Sequence, residues 1–516
     1  MFSCTFALIF ADLSAKKSAK STTKKTPIFL HFFKDFAMTK NLKNPQYPTL
    51  LFIADCYKYT HASMYPQGLE SVYSVLYCRN PRLDLSALNG HIVAFGMRQA
   101  IAKLKTLYAE FKAASEASIK SGLEFLYSDF MKLDKSQESY HFLIDKWLSL
   151  PNEIPIHFKV LPEGSFIPSH SPIITLQSTK QEHCWFVNFI ETYLNSQIWK
   201  SCLVATNAAR FKRIEYDCLG YYLDESYNFH DFAQRGMNGI EDCYNSSMGH
   251  ILFFNGTDSM MALKHLYDEY GAQAHLVGSI PASEHSVMCL GGQSGEVESF
   301  KRIMRAFPKS MVSIVSDTWN LWEIIEGLKR DKEASEMIQN RAFPIVLRPD
   351  SGDPFLILTG DAGSSDERAR KGVIRLVDEY FSLSKVRIIY GDAITVERAR
   401  AVYDWCKDNG YNPTEFLCFG IGSYAYNSGI RDDVGLVSKM TWARINGQNK
   451  HLIKSPITGG EKLSLSGKVG IDKRTRKTKQ FLDSDLENDF LSEDLSIPSL
   501  GDLRGFVKEE FLRVLG

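Results

Sequence analysis

Closely spaced cysteines are missing from this sequence. The ten cysteines are scattered over 516 residues, and the two nearest, Cys406 and Cys418, are twelve positions apart. This spacing excludes the paired CxxC pattern of a structural zinc site or a thioredoxin-like centre. Isolated thiols are typical of proteins in a reducing compartment, so we expect a cytoplasmic protein without structural disulfides.

Long apolar runs and an excess of one charge are missing as well. No apolar run reaches the roughly 18 residues that cross a bilayer, so we expect no membrane partner. Lys and Arg together number 60, as do Asp and Glu, and this balance argues against a nucleic-acid partner. Residues 1–48 are the exception, with eight lysines and two aspartates. We expect residues 1–45 to be a tail or extension outside the core, and Met38 offers a second possible start.

Four common catalytic or nucleotide-binding motifs are absent in a usable context. They are the Walker A loop, the GxGxxG dinucleotide fingerprint, HExxH and GxSxG. The composition is that of an ordinary globular protein, with 44% apolar and 23% charged residues. The length allows about two to four domains.

Short apolar runs alternate with helical patterns through the second half of the chain. Leu263, Leu266 and Tyr270, for example, are spaced to share one face of a helix. Strand alternating with helix predicts a parallel α/β fold, either a barrel or an open sheet. The predicted strands of this region are 251–254, 275–280, 312–315, 344–347, 386–389 and 416–419, and the predicted helices are 259–270, 296–306, 319–340, 366–382 and 394–408. Nearer the N-terminus we predict strands at 51–55, 71–78, 156–161 and 172–177 and a long helix at 97–132.

Charged or glycine-rich residues follow every predicted strand of the alternating region. In parallel barrels the carboxyl ends of the strands meet at one edge, and active sites lie there. We therefore expect these residues to form one ring of functional groups. They are Asp258, Glu284, His285, Asp317, Arg348, Asp350, Asp392 and the turn 420–423.

Most of these residues have an ordinary explanation when taken alone. Asp258 and Asp317 stand before helical patterns, where a carboxylate can cap the free amides of a first turn. His285 alone could be a loop histidine with ordinary partners. The segment RPDSGDP (348–354) is different, because turn geometry explains its glycine and prolines but not Arg348.

Taken together, the ring suits a phosphorylated sugar. Aspartates bind sugar hydroxyls or hydrated Mg²⁺. Arginine, lysine and glycine amides bind phosphates. The combination predicts phosphoryl or phosphoribosyl transfer, with metal-dependent hydrolysis as the alternative.

Nine short segments occur in a fixed order along the chain. They are DCYKYTH (55–61), HDFAQRG (230–236), NGTD (255–258), PASEHS (281–286), VSD (315–317), RPDSGDP (348–354), YGD (390–392), FGIGS (419–423) and RD (431–432). In this order they closely resemble the nicotinamide phosphoribosyltransferases, which are type II phosphoribosyltransferases. The resemblance implies an irregular parallel β/α barrel over 216–434 and a second α/β domain built from 46–215 with 435–516. It also implies a homodimer with active sites at the subunit interface.

The family reaction joins nicotinamide to 5-phosphoribosyl 1-diphosphate and releases nicotinamide mononucleotide and diphosphate. The resemblance therefore implies a glycosyltransferase of NAD salvage, with Mg²⁺ as cofactor and ATP as a coupled co-substrate. The pyridine nitrogen is already a nucleophile and needs no general base. Catalysis would consist mainly of positioning and electrostatic stabilisation.

The resemblance assigns four residues to catalysis. His285 corresponds to the histidine that ATP phosphorylates, and we expect the neighbouring Glu284 to hold its ring. Arg348 would contact the base and phosphates, and Asp350 would hold ribose hydroxyls. Asp317 would lie near the Mg²⁺-diphosphate and bind the metal directly or through water.

The resemblance assigns further residues to substrate binding. Phe232 and Tyr57 of the partner subunit would sandwich the flat pyridine ring, and Asp258 would accept a hydrogen bond from the carboxamide. The other predicted substrate-binding residues are Arg235 for the base and phosphates, Gly391 and Asp392 for the ribose, Gly422 and Ser423 for the 5′-phosphate, Arg79, Arg431, Lys439 and Lys454 for the diphosphate, and Asp55.

Two other enzyme activities are alternatives to nicotinamide phosphoribosyl transfer. A nicotinate phosphoribosyltransferase would bind a substrate carboxylate, which Asp258 would repel. Two like charges about 4 Å apart cost on the order of 4 kcal/mol at an intermediate effective dielectric constant. A metal-dependent barrel hydrolase would need two or more converging histidine ligands, and only His285 stands among the predicted strand-end residues. We therefore predict nicotinamide as the substrate.

Overall fold

Two main sheets organise the residues that the computed structural model describes, which are 47–271, 276–454, 464–481 and 489–516. The strands are β1 (Leu69–Cys78), β2 (His91–Ala94), β3 (Ile156–Val160), β4 (Ser165–Pro168), β5 (Pro172–Ser178), β6 (Phe229–Asp231), β7 (Gly256–Thr257), β8 (Val312–Val315), β9 (Ile345–Arg348), β10 (Val386–Tyr390), β11 (Leu417–Ile421), β12 (Leu436–Ile445), β13 (Gln448–His451), β14 (Val469–Ile471) and β15 (Thr478–Gln480). The α-helices are Met97–Ala113, Glu116–Glu124, Glu138–Leu148, Cys184–Phe189, Glu191–Leu219, Ile240–Ile251, Met260–Tyr270, His285–Cys289, Glu296–Ala306, Leu321–Arg330, Lys332–Asn340, Pro354–Thr359, Glu367–Phe381, Val396–Asp408, Ser423–Tyr426, Arg431–Val434 and Leu500–Leu515. The predicted tail at 1–45 lies outside the described residues.

The first sheet is parallel and curls into an irregular barrel. Its six strands follow the order β7-β6-β11-β10-β9-β8. The two edge strands are both bridged by one irregular segment, because Gly278 pairs with Gly256 of β7 and Ala282 pairs with Ser313 of β8. The strand interiors are apolar and buried, as expected for a sheet covered on both faces. The predicted parallel β/α barrel is therefore confirmed.

The second sheet is antiparallel and combines both ends of the chain. Its order is β13-β12-β1-β5-β3, so β1 lies between β5 and the C-terminal strand β12. The register of β1 with β12 runs from Leu69 opposite Ile445 to Cys78 opposite Leu436, with two irregularities. This sheet belongs to the second α/β domain, which was expected to combine the N- and C-terminal regions of the chain. The predicted domain boundaries, 46–215 with 435–516 and 216–434, stay a prediction.

One long helix, Glu191–Leu219, connects the hydrophobic cores of the two sheets, and we call it the central helix. Leu194 and Ile198 pack into the core of the antiparallel sheet. Phe211 and Ile214 pack into the core of the barrel. Of the helices described, none is both long enough and apolar enough to cross a membrane.

The central helix also carries an ion pair that is buried completely. Lys212 Nζ lies 2.5 Å from Glu215 Oε2, and both side chains are 0% exposed. Glu215 Oε1 accepts hydrogen bonds from Ser226 and from Asn228 Nδ2, the latter at 3.0 Å. Lys212 Nζ also donates to Leu223 O at 2.5 Å. The pair therefore anchors the segment that leads into β6.

Most of the predicted strands are confirmed. The runs at 71–78, 156–161, 172–177, 312–315, 344–347, 386–389 and 416–419 correspond to β1, β3, β5, β8, β9, β10 and β11. The five predicted helices of the barrel are also present, with 319–340 divided in two at Asp331 and 366–382 kinked at Gly372, whose backbone is not helical. The Asp331 side chain accepts from Ala334 N and caps the second of these two helices.

Two predicted strands are wrong because the apolar runs belong to helical turns. The run at 51–55 lies partly in a 3-10 helix, Thr49–Phe52, in which the consecutive Leu50 and Leu51 are both buried. The run at 251–254 begins with the last residue of the helix Ile240–Ile251 and continues as a buried turn. Short apolar runs do not distinguish a strand from a buried helix end.

Two further predictions need correction. Of the predicted strand at 275–280, position 275 lies outside the described residues, and the rest is irregular with a single bridge at Gly278. The predicted helix at 97–132 is divided into Met97–Ala113, Glu116–Glu124 and a π-helical turn, Phe125–Phe130. The division falls at Ser115, whose side chain accepts from Ser118 N and starts a new helix.

We predict that the buried ion pair controls the stability of the barrel. Lys212→Met leaves the Glu215 carboxylate buried without its cation, and should lower the free energy of unfolding by about 3 kcal/mol. Adding Glu215→Gln should recover part of this loss, because no unpaired charge then remains. Urea unfolding followed by tryptophan fluorescence measures both. Lys264→Met, at an exposed pair with Asp268, is the control and should change little. Equal effects of the buried and exposed substitutions would contradict the prediction.

Candidate active site

The barrel strands enclose a cavity of about 350 Å³. Three predicted site residues line it: Phe232 follows β6, Asp258 follows β7, and Arg348 ends β9. Strand residues such as Ser313 and Ile388 also line it. The structure thus brings together an aromatic ring, a carboxylate and a guanidinium at one cavity of ligand size.

Asp258 is held by two neighbours of the cavity wall. His230 Nε2 lies 2.9 Å from Asp258 Oδ1, and Ser279 Oγ donates to the same oxygen. Burial alone would raise the pKa of Asp258, but these hydrogen bonds and the nearby charge of Arg348 hold it below its ordinary value. The cavity therefore presents an ionised carboxylate at neutral pH.

Phe232 is placed by the strand beside it. Its backbone N donates to Ile421 O at 2.9 Å, and its ring lies 4.7 Å from the His230 ring, centroid to centroid. A Cβ on Gly420 would lie 2.7 Å from the Phe232 ring. Glycine at 420 thus makes room for the aromatic ring. The packing of Phe232 therefore explains this glycine without a bound phosphate.

Arg348 is surrounded by carboxylates. Burial lowers the pKa of its guanidinium, and the charges of Asp350, Asp258 and Asp317 oppose this change. One terminal nitrogen donates to Ser283 O. Arg348 Nε is buried and has no hydrogen-bond partner within the described chain.

Asp317 joins His285 to the loop after β9. Its Oδ1 lies 3.2 Å from His285 Nε2, and its Oδ2 accepts from Asp350 N at 3.0 Å and Ser351 Oγ at 2.6 Å. The Asp317 side chain is 6% exposed, whereas the His285 side chain is 50% exposed. The expectation for Glu284 is wrong, because its carboxylate accepts from Ser286 Oγ and Asp317 contacts the histidine instead.

A cluster of acidic groups follows β9 and β10. Burial raises the pKa of Asp350, Arg348 opposes the rise, and the charges of Asp317 and Asp392 add to it. A Cβ on Gly391 would lie 3.1 Å from Asp350 Oδ1, so the turn after β10 approaches this carboxylate closely. Such a cluster favours hydroxyl donors and positive charge.

Arg235, Gly422 and Ser423 lie beside each other near this site. Arg235 belongs to the short turn Gln234–Gly236 and is exposed, and its charge acts on Arg348. Gly422 precedes the helical turn Ser423–Tyr426. A Cβ on Gly236 would lie 2.3 Å from Ser423 Cβ, so the two segments are in direct contact.

The remaining predicted residues form a second group away from the cavity, on and around the antiparallel sheet. Lys439 lies in β12, and burial lowers its pKa while the positive charges of Arg79 and Lys454 lower it further. Tyr57 is 59% exposed. The other members are Asp55, which accepts from Thr192 Oγ1 at 2.7 Å, and Arg431, which pairs with Asp432 at 2.9 Å. Among the described residues, no hydrogen bond or ion pair joins this group to the cavity group.

Several contacts of the site were not predicted from the sequence. His230 and Ser279 hold Asp258, Ser283 accepts from Arg348, and Ser351 donates to Asp317. His230 had a usable signal, because it stands two positions before Phe232 and residues two apart on a strand share one face. Serines in loops offer no comparable pattern.

The donor set limits how the site could hold a metal. Within the described ranges, no group of three or more His, Cys, Asp or Glu side chains could hold an ion. Both oxygens of Asp317 already contact protein donors. Mg²⁺ retains several waters and takes oxygens from phosphates, so Asp317 fits a water-mediated contact better than a direct one.

Known sequence families match two parts of the chain. The "Nicotinate phosphoribosyltransferase (NAPRTase) family" matches residues 227–488, and the "Nicotinamide phosphoribosyltransferase, N-terminal domain" matches residues 49–154. A nicotinamide phosphoribosyltransferase of Acinetobacter baylyi is 34% identical over 453 residues, which are 81% of this chain and 87% of that protein. Another of that name, from Mycoplasma pneumoniae, is 28% identical over 81% of this chain and 94% of its own length.

Solved structures share the fold at low identity. A nicotinate-nucleotide pyrophosphorylase from Pyrococcus furiosus has a TM-score of 0.55 at 11% identity, covering 96% of this chain and 100% of that one. Human nicotinic acid phosphoribosyltransferase has a TM-score of 0.50 at 16% identity, covering 90% and 94%. These two structures show the fold, and the family match over residues 227–488 together with the relative at 34% identity shows that the chain belongs to the nicotinate phosphoribosyltransferase family.

Proposed function

We propose that this enzyme transfers the phosphoribosyl group of 5-phosphoribosyl 1-diphosphate to nicotinamide and releases nicotinamide mononucleotide and diphosphate. The relatives named nicotinamide phosphoribosyltransferase support this assignment. The reaction would return nicotinamide to NAD synthesis. The single observation that carries the choice of substrate is the carboxylate of Asp258 in the wall of the cavity, beside Phe232.

Asp258 selects a carboxamide over a carboxylate. The pyridine ring stacks on Phe232, and the amide N–H₂ donates to the ionised Asp258. Nicotinate would bring a second negative charge to the same place, at a cost on the order of 4 kcal/mol for about 4 Å separation. Because His230 and Ser279 keep Asp258 ionised, the carboxylate does not relieve this repulsion by taking up a proton.

The reaction needs charge control rather than proton transfer. The lone pair of the pyridine nitrogen forms the bond to C1 of the ribose while the bond from C1 to the diphosphate oxygen breaks, and its electron pair leaves with diphosphate. Asp350 and Asp392 accept hydrogen bonds from the ribose hydroxyls and favour the positive charge that develops on the sugar. Arg348, which lines the cavity, stabilises the phosphate groups.

Bound together with the diphosphate, Mg²⁺ would supply charge neutralisation for the leaving group. Asp317 would reach it through water, since both of its oxygens contact protein donors. Asp317 also orients His285, so its carboxylate would act on both the metal and the histidine.

ATP would act through His285. A ring nitrogen attacks the γ-phosphorus, the bond to the bridging oxygen breaks, and ADP leaves; water later hydrolyses the phosphohistidine. The ring is half exposed and one nitrogen contacts Asp317, an arrangement that favours a histidine nucleophile. The phosphorylated ring would add charge beside the Mg²⁺-diphosphate and tighten binding of the donor.

The second group of site residues supports a homodimer with shared sites. Tyr57 presents an aromatic ring to solvent, and the cluster around Lys439 presents positive charge. In a dimer, Tyr57 of the partner subunit covers the pyridine ring opposite Phe232, and the basic residues bind diphosphate. We also infer a cytoplasmic location, because the nine cysteines of the described ranges are free thiols.

Asp258→Asn should admit nicotinate, because it removes the repelling charge and keeps the size of the side chain. The ratio of kcat/KM for nicotinate over nicotinamide should rise on the order of a hundredfold. Since the pKa of Asp258 lies below its ordinary 3.8, the preference of the unmodified enzyme should stay constant from about pH 8 to about pH 5. Asp268→Asn, on the surface, is the control. If the unmodified enzyme uses nicotinate better than nicotinamide, the proposed substrate is wrong.

Mixing inactive Tyr57→Ala subunits with inactive Arg348→Ala subunits should restore activity. Random exchange makes half of the dimers mixed, and each mixed dimer holds one intact site of two, so about a quarter of full activity is expected. Arg348→Ala mixed with Asp350→Ala is the control, because both changes affect the same group and no intact site can form. Absence of recovery after exchange has been verified with two affinity tags would contradict shared sites.

His285→Ala should abolish ATP hydrolysis and the gain in synthesis that ATP provides. Slow synthesis without ATP should survive, because Phe232, Asp258 and Asp350 remain. Rates of ADP release and of mononucleotide formation, each with and without ATP, measure the two effects. His141→Ala, at an exposed position, should change neither. Persistent ATP hydrolysis in His285→Ala, or a phosphate label on another residue, would argue against the phosphohistidine.

A further inference from the structure

A lysine of the central helix is buried beside the site without touching the cavity. The side chain of Lys200 is only 2% exposed, and its Nζ lies 3.8 Å from Asp242 Oδ1. The same Nζ donates to Asn427 Oδ1. Burial lowers the pKa of Lys200, and the charge of Asp242 opposes this. A buried ammonium is costly unless it has partners. Asp242 and Asn427 provide them here, so Lys200 and these two residues constrain one another.

Asn427 connects two segments of the site. Its Nδ2 donates to Gly236 O at 2.7 Å, next to Arg235. Its backbone N donates to Ser423 O at 2.6 Å. One asparagine therefore joins the turn that carries Arg235 to the turn assigned to the 5′-phosphate.

Lys200 is one of three groups that set the orientation of the Asn427 amide, beside Gly236 O and Asn238 Nδ2. An ammonium is only a donor, whereas an amide has an accepting oxygen and a donating nitrogen. With Lys200 facing Oδ1, the nitrogen must face Gly236 O, which accepts it. Without the ammonium, the oxygen keeps its contact with Asn238 Nδ2 at 3.3 Å but loses its charged donor.

The two segments that Asn427 joins are in close contact. Gly236 and Ser423 are so close that a Cβ on residue 236 would lie 2.3 Å from Ser423 Cβ. Asn238 is held in turn by Asp242 Oδ2, which accepts from its backbone N at 2.9 Å and from its Nδ2 at 3.0 Å. A substitution at Lys200 should therefore displace the turn Gln234–Gly236 relative to the turn at Ser423.

A second residue of the central helix supports the same turn. Asn207 Nδ2 donates to Ala425 O at 3.1 Å. Lys200 and Asn207 are seven positions apart, which is close to two helical turns, so both side chains leave the same face. The central helix is thus a platform under the turn that begins at Ser423.

We propose that Lys200 is a positioning residue for the phosphoribosyl donor: through Asn427 it fixes Arg235 relative to the turn at Gly422 and Ser423. This inference rests on the proposed function, which assigns that turn to the 5′-phosphate. It concerns the phosphate end of the site, since Lys200 lies outside the cavity wall that would hold the pyridine ring.

Steady-state kinetics of Lys200→Met tests the inference. The KM for 5-phosphoribosyl 1-diphosphate should rise about tenfold, because a small displacement of a binding group is costly. The KM for nicotinamide should change less than about twofold. Lys200→Arg, which keeps a donor-only cation, should recover part of the loss. Lys301→Met is the matched control, because Lys301 is also buried and ion-paired, but its partners Asp331 and Glu333 are not residues of the site.

Asn427→Ala provides a second route to the same result. It should raise the KM for the donor by a similar factor, and the double variant should be no worse than either single one, because both act through one contact. If Lys200→Met does not fold, Asn427→Ala decides the matter alone. A donor KM within about twofold of the unmodified enzyme, or equal changes for both substrates, would overturn the inference.

The outcomes separate this inference from the proposed function. If the unmodified enzyme makes no mononucleotide from nicotinamide, the proposed function fails on its own. The positioning role is then measured by calorimetric binding of ribose 5-phosphate, which should be about tenfold weaker in Lys200→Met than in Lys301→Met. Equal affinities in the two variants would overturn it.

Discussion

The polar groups buried on the central helix are the constraint on which the site depends. Buried charges and amides must be paired, because each unpaired group costs more than a lost surface contact. Lys212 and Glu215 meet this requirement by binding the segment before β6. Lys200 and Asn207 meet it by binding the turn after β11. The same helix packs into both hydrophobic cores, so the pairing positions site segments relative to the entire fold.

Within the cavity wall, Asp258 and Arg348 carry opposite charges. Asp258 is kept ionised by His230 and Ser279. Arg348 lies among carboxylates, and its positive charge helps to hold the pKa of Asp258 below its ordinary value. This arrangement suits a reaction in which charge moves from the sugar to the leaving group and no proton is transferred.

Prediction from sequence succeeded where a segment's own pattern decided its structure. The run at 312–315 is a strand, as its β-branched residues indicate, and the helix Glu296–Ala306 was predicted to the residue. The run at 251–254 is equally apolar but ends a helix. The secondary structure of this run depends on the elements that pack around it, and a short apolar run does not indicate which elements those are. The family was predicted from the resemblance of nine ordered motifs, each of which is a short segment that can be recognised without knowing how the chain packs.

The sequence by itself determined the alternation of strand and helix, the residue types at the strand ends and the family to which they belong. Only the tertiary structure decided which of those residues touch. Glu284 is adjacent to His285 in sequence, yet Asp317, 32 positions away, contacts its ring. Gly420 makes room for Phe232 from the neighbouring strand β11, 188 positions later in the chain, and Lys200 reaches Asn427 across 227 positions. These pairs follow from burial and strand order, because side-chain contacts form between elements that pack together and not between neighbours in the chain.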